Sequence, residues 1–370
     1  MLSPNYLYNC TNDISELYAA LETEIINDIS RRIAKVGKVT ASAEWQILKA
    51  QEAGALYDSI IKKVALRTKQ SEKVIRKLFE ESAVKSLKFD DSVYKNAGLE
   101  PIPLMQSPAM LQTLAAGLMK TNGELRNLTM STALTSRQTF LSAADMAYMK
   151  VTSGAFDYNT AIKQAVIEIA KKGVETIGTK TEMIGFAGRV DHIDVAVRRA
   201  VLTGVNQTAG KLTMSRISEM GTDLVETTAH RGARPAHQKW QGRVHSMSGA
   251  KGYPDFKETR YGFVDGLMGA NCRHSFHPFI EGSTPTVDPE DYENQEVSFR
   301  GEKMDFYEAT QRQRKYEREI RKWKRQKSAL ESAGLGNEEE RIKIRDLQRE
   351  AKAFSEATGV TRRPSNEQII

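Results

Sequence analysis

The sequence predicts a mainly α-helical protein carrying one small α+β module, and three observations predict it. Apolar residues recur at three- and four-residue steps through most of positions 1–215. Short, partly alternating, glycine-punctuated runs replace them between 216 and 282. Positions 301–370 return to helical periodicity but are strongly charged.

The elements follow in order. Ile14, Leu17, Tyr18, Leu21, Ile25, Ile29 and Ile33 form one stripe of a helix that starts near Asn12 or Asp13 and closes at Gly37. A second run carries Leu48, Leu56, Ile60 and Val64. A third carries Val74, Leu78 and Phe79 behind a Ser71 cap, with Glu72 in its first turn. These make up an N-terminal helical region, 1–95. The proline-bearing "AGLEPIPLMQSP" reads as an extended connector into a helical body, 96–215. Four helical runs follow, "MLQTLAAGLMK", "TALTSRQTFLSAADMAYMKV", "YNTAIKQAVIEIAKKG" and "IDVAVRRAVLTGVNQT", with Gly173 as a C-terminal cap. Met110, Leu114 and Leu118, and then Met146 and Met149, are expected in the core. No phosphate loop, nucleotide fingerprint or paired-carboxylate motif occurs in this half.

The α+β module spans 216–282. "TDLVETTAH" and "GRVHSM" read as strands, and Pro235 opens a short helix carrying His237, Trp240 and Gln241. A core this small is expected to lean on the helical body or to be stapled by a ligand. Residues 283–300 read as an acidic linker. The C-terminal region, 301–370, reads as a helix from about Lys303 to Leu330, a break at "GLGN", a second helix from Glu338 to Ser355 and a frayed tail.

Composition narrows the function. Charged residues are 27% and hydrophobics 40%, and no stretch approaches the roughly 20 apolar residues of a membrane helix, so no membrane partner is expected. The first residues lack a basic stretch followed by an apolar one, so no secretory leader is expected. Cys10 and Cys272 are expected as thiols. The net charge is +7, and Gln311–Lys327 alone holds nine Lys or Arg against two Glu. Such a segment suits polyanion contact, and Arg312, Arg314, Lys315, Arg318, Arg321, Lys322, Lys324 and Arg325 are the candidate DNA-binding residues. The alternative is a solvated helix laced with pairs such as Glu317 to Arg321.

The chain has six histidines and two cysteines, and most of them crowd into "RPAHQKWQGRVHSMSG" and "GANCRHSFHP". A strand through "NCRH" would point Cys272 and His274 to one face. With His237 on the short helix and His230 just before it converging from the other side, these make a four-ligand set suited to zinc, although the spacing matches no standard zinc knuckle. The competing readings are a buried Cys272 with backbone-bonded histidines, and an enzyme. In the enzyme the histidines with Arg231, Arg234, Arg243 and Arg273, or a Cys272–His237 pair, would do acid–base, phosphate-clamping or nucleophilic chemistry. Carboxylates are scarce here. Trp240 as core filler, with Gly242, Gly266 and Gly269 allowing close backbone approach, favours a structural role and no catalytic residues.

The residues also carry a resemblance. "TTAHRGARPAHQKWQGRVHS" followed by "DGLMGANCRHSFHPFIEG" resembles the signature of the phage minor capsid protein 2 family, relatives of the Mu F-like minor head proteins. "SGAFDYNTAIKQAVIEIAKKG", "RVDHIDVAVRRAVLTGVNQT" and the pattern from Tyr307 to Lys324 are similar to it as well, so the likeness runs from about 100 to 327. Thr228 stands where the family often has Ser, and His245 where it often has Tyr. The resemblance implies a non-enzymatic structural head protein of a tailed phage. It would lie inside the capsid near the portal, present in the host cytoplasm during assembly, and assist head assembly, DNA packaging or ejection. The implied partners are the portal protein or major capsid protein, packaged double-stranded DNA, and further copies of itself. The alternative is a head-carried nuclease or toxin-like enzyme built on the His/Cys/Arg cluster of 230–277.

Overall fold

The computed structural model describes residues 1–39, 41–154, 156–177 and 190–369. It is mainly helical with a few small sheets, as the periodicities predict.

Helix α1 (Pro4–Asn9) is capped by Ser3, and α2 (Asn12–Val36) buries the predicted stripe, with Ile14, Tyr18, Leu21, Ile25, Ile29 and Ile33 all inside. The two following runs are not separate helices. Helix α3 (Ser42–Asn96) is continuous over 55 residues. Ser71, expected as a cap, lies mid-helix and fully buried; its hydroxyl donates back to the Thr68 carbonyl at 2.8 Å, so it satisfies itself without ending the helix. No proline interrupts this stretch, and continuation keeps every backbone hydrogen bond.

After the connector, α4 (Pro108–Thr152) joins two predicted helices into one, started by the Ser107 cap and Pro108. Its inward face near the C-terminus is made of Ala143, Ala144 and Ala147, which let the neighbouring helices approach closely. The expected core residues Met146 and Met149 are consequently exposed, at 46% and 67%, while Met110 is buried as predicted. Helix α5 (Tyr158–Lys172) is capped by Asp157 and ended by Gly173 at φ 71°. Strands β1 (Glu175–Ile177) and β2 (Val190–His192), absent from the sequence reading, pair antiparallel. Helix α6 (Ile193–Met220) then packs against α2, α3 and α4. One apolar cluster extends from Leu2 to Leu330 across this body.

The α+β module is built on α6. Strand β3 (Leu224–Thr227) is central, with β4 (Val244–Ser246) and β5 (Phe276–Pro278) antiparallel on either side, and α7 (Pro235–Gln238) crosses between β3 and β4. Trp240, Val225, Phe256, Leu267, Met268 and Phe276 form its core together with Ile217 of α6. The module leans on the body as expected. Asn206 of α6 donates to the carbonyls of Cys272 and His274 at 3.2 and 2.9 Å, and Gly210 leaves room for Met268, whose sulfur would sit 2.2 Å from any Cβ there.

The stretch 283–300, expected as a linker, contributes strand β6 (Glu296–Phe299), which pairs with β7 (Glu302–Asp305). Helix α8 (Phe306–Ser332) therefore starts three residues later than expected, behind an Asp305/Glu308 capping box. Helix α9 (Glu338–Thr358) ends at Gly359, φ 70°.

The larger correction concerns α8, whose charge count suggests a helix solvated nearly all round. It packs against α2, α5 and α9, and Ile320, Ala329 and Leu330 are fully buried. Arg325 is buried against Glu22 of α2 at 3.6 Å, and Arg321 faces Asp194 of α6 at 3.6 Å. Arg312 pairs with Glu302 at 2.6 Å and lies over the rings of Phe299 and Phe354. Lys322 pairs with Glu319, and Lys324 donates to Gln368. Of the eight candidate DNA-binding residues, Lys315 and Arg318 are exposed, Arg325 is buried and the other five are half-buried. Among the described residues no helix is long and apolar enough to cross a membrane.

Candidate metal centre

The loop from Thr259 to His274 is held in an unusual conformation. Arg260, Met268 and Asn271 all have φ between 54° and 58°, a region that costs a non-glycine residue of order 1 kcal/mol. Gly266 passes so close to the Arg260 carbonyl that a Cβ would lie 1.9 Å from its oxygen. This folded-back path brings Cys272 and His274 to the end of α7, where His237 meets them. Arg234 clamps the loop by donating to the Ala270 carbonyl at 2.8 Å.

His237, Cys272 and His274 are all buried, and one ligand atom from each lies within 4.8 Å of the others. The two Nδ1 atoms are 3.3 Å apart, and Sγ of Cys272 is 3.6 Å from Nδ1 of His274 and 4.0 Å from Nδ1 of His237. Tetrahedral zinc, with Zn–N of about 2.0–2.1 Å and Zn–S of about 2.3 Å, requires N···N near 3.3–3.4 Å and N···S near 3.6 Å. The Nδ1–Nδ1 and Cys272–His274 separations match that geometry, and the Cys272–His237 separation is about 0.4 Å longer than it requires.

The proton inventory points the same way. His237 Nε2 lies 2.8 Å from the Asp265 carbonyl, which can only accept, so Nε2 carries the hydrogen. His274 Nε2 lies 2.9 Å from Oε1 of Gln241; that oxygen also accepts from the His230 N–H, while the Gln241 amide nitrogen donates to Tyr292. Burial pushes both imidazoles below their ordinary pKa, His274 far below, so both are neutral. Two Nδ1 lone pairs therefore face each other, and the single thiol hydrogen of Cys272 can satisfy at most one of them. A cation answers both. Histidines held through the remote nitrogen by an oxygen acceptor are what oriented metal ligands require.

The structure does not bring all four predicted ligands together. His230 stacks on His274 with ring centroids 4.4 Å apart and planes 23° apart, so its in-plane nitrogens point away from the cluster. Its Nδ1 lies 2.9 Å from the Arg231 carbonyl. Nor is "NCRH" a strand: Cys272–His274 lies in no regular element, and β5 begins at Phe276. The loop still places the two side chains together, with the His274 backbone N–H donating to Sγ of Cys272 at 3.4 Å. His245 and His277 stay outside; His245 bonds the Arg243 carbonyl, and His277 pairs with buried Glu226 at 3.5 Å.

The sequence places Gln241 on the short helix with His237 but assigns it no role, although its position four residues after His237 puts both on one face. Sequence reasoning missed Asn206, which no local signal marks. The thiol-nucleophile alternative fits poorly, since burial pushes the Cys272 thiol upward by more than the nearby backbone groups and Arg234 and Arg273 bring it down.

The three ligand atoms border a cavity of about 390 Å³ between the module, α2, α6 and α8, lined also by Arg234, Arg273, Arg314 and Arg318.

A helical body bears a small module with a buried His/Cys cluster, and the sequence of both is that of a known structural class. Residues 2–356 match the family described as Phage minor capsid protein 2, and the chain belongs to that family. It is a phage structural protein. It is similar to a structural protein of Lactococcus phage LL-H, 25% identical over 345 residues that cover 87% of this chain and 89% of the relative. A structural protein of Lactococcus phage mv4 is 37% identical over 120 residues, 32% of this chain and 92% of that protein. No solved structure matches.

Proposed function

We propose that the protein is an internal component of the phage head, set near the portal, where it supports assembly and the packaging or ejection of DNA. The observation that carries this reading beyond the family is the distribution of exposed apolar surface. Of the fifteen large hydrophobic residues exposed among the described residues, eleven lie between Ile47 and Met149, on α3, α4 and their connector. Concentration of such side chains on one pair of long helices marks a protein-contact surface. That arm docks on the portal or the shell, while the α+β module packs on the C-terminal end of α3, where Tyr94 bonds Thr222 at 2.7 Å and Phe89 meets His277. Further copies of this chain are the other occupant this surface suits.

Cross-linking mass spectrometry on intact heads tests it. Lysines of α3 and α4, such as Lys62, Lys69 and Lys120, are expected to link to portal or major capsid protein. Links from the module and α9 alone, or accessibility of the chain to protease added outside intact heads, would contradict it.

Zinc is the cofactor the donor set favours. His237, Cys272 and His274 would supply three ligands, with the fourth position open toward the cavity, and the ion would fasten the strained loop to α7. In a structural protein its contribution is folding free energy.

A further inference from the structure

The cavity beside the His/Cys cluster carries charge that the protein does not neutralise. Six arginines but only three carboxylates line it. Arg321 is answered by Asp194 at 3.6 Å, and Glu317 is engaged by Asn366 at 3.1 Å. Arg198, Arg273 and Arg314, from α6, the ligand loop and α8, have no carboxylate within ion-pair distance among the described residues. Arg198 reaches only Thr11 Oγ1 and the Tyr8 carbonyl, each at 3.4 Å, and Arg273 reaches the ring of His230 at 3.5 Å. The Tyr8 ring gathers guanidinium groups, with Arg198, Arg273 and Arg363 at 5.4, 5.2 and 3.6 Å from its centroid. Like charges collected in a half-buried space repel strongly unless an anion joins them.

We infer that this cavity binds a terminal phosphate group, held by Arg198, Arg273 and Arg314. Guanidinium forks approaching from three separate elements suit a tetrahedral oxyanion, whose oxygens point in different directions, better than a carboxylate, which presents one edge. A volume of about 390 Å³ exceeds a lone phosphate and leaves room for a nucleoside, while a duplex is too wide to enter. The group therefore comes from free phosphate or a mononucleotide, or from the 5′ end of a DNA strand. The site does not depend on the metal proposed above.

The test is a thermal-shift titration of the full chain with inorganic phosphate at constant ionic strength, with sodium chloride as reference. Phosphate is expected to raise Tm beyond chloride, and Arg198→Gln and Arg314→Gln to raise the half-saturating concentration at least about tenfold. Because each replacement relieves repulsion, both variants should keep the unliganded Tm of the parent or exceed it, a result that a merely structural role would not give. Lys343→Gln, on exposed α9 surface, should respond as the parent does. Competition by a 5′-phosphorylated oligonucleotide but not its 5′-hydroxyl counterpart identifies a strand end; phosphate binding with neither competing identifies the small-molecule source. A phosphate effect equal to that of chloride, or an unchanged response in both arginine variants, overturns the assignment. So does a response abolished by chelator while the arginine variants behave as parent, since the anion would then sit on the metal alone.

Discussion

His237 and His274 turn their Nδ1 atoms toward each other at 3.3 Å while each gives its Nε2 hydrogen to an oxygen. Two lone pairs held face to face by outside acceptors are stable only with a cation or proton between them. The acceptors are therefore as informative as the ligands. Gln241→Leu removes the acceptor of His274 and frees that ring to turn, so metal affinity should fall by about 10–100-fold in a competition titration with a chromophoric chelator. An affinity equal to the parent's would show that Gln241 orients nothing.

The folded-back loop should depend on the ligands more than the rest of the chain does. Cys272→Ser and His237→Ala are expected to raise amide exchange in 259–274 and in β5 while leaving α2 and α3 protected, and chelator should do the same to the parent. Hydrogen-exchange mass spectrometry reads this directly. Protection unchanged in the loop would leave Cys272 as core filler only.

A second buried relationship governs acid stability. Burial pushes the Glu22 carboxyl up, but Arg325, His192 and the Val174 N–H together hold it below its ordinary value of 4.5. A depressed folded pKa means the stabilisation is present above about pH 4.5 and is lost as pH falls through the lower folded value. Glu22→Gln should flatten the acid limb of a Tm–pH profile. Glu22→Ala, which strands buried Arg325, should cost about 3–5 kcal/mol near neutrality in urea unfolding. An unchanged acid limb in Glu22→Gln would place the acid sensitivity elsewhere.

The core of the module offers a plain packing test. Trp240 is 4% exposed and packs its ring against both His237 and His274, with centroids 4.6 and 4.9 Å away. Trp240→Ala should cost about 3–5 kcal/mol and weaken metal binding together with stability, measured by denaturant unfolding with and without added zinc. Loss of stability with metal affinity intact would uncouple the two.

These residues show how far the sequence could be read. The stripe from Ile14 to Ile33 and the cap at Gly173 are local signals, and the fold obeys them. Ser71 misled because a hydroxyl residue that can cap a helix can also bond back within one. Met146 and Met149 misled because the nearby alanines, not the larger side chains, face the neighbouring helices. In α8 the charge count was right, but the expectation of a helix solvated nearly all round was not: Glu22 and Asp194, which answer Arg325 and Arg321, lie in α2 and α6, and no periodicity within α8 reports a partner so distant in sequence. At the candidate site, residue type and spacing singled out His237, Cys272 and His274, whereas His230 needed a ring orientation that only the fold supplies. The cavity arginines come from separate segments and carry no joint motif.

Metal content is the most direct measurement. The full-length chain, purified without chelator and analysed by inductively coupled plasma mass spectrometry, is expected to hold about one zinc per chain, and Cys272→Ser to hold well under half of that. The contradicting result is a folded parent protein with no bound zinc even after incubation with zinc and removal of the excess; the facing Nδ1 atoms would then be bridged by a proton, and the module would stand on its apolar core alone.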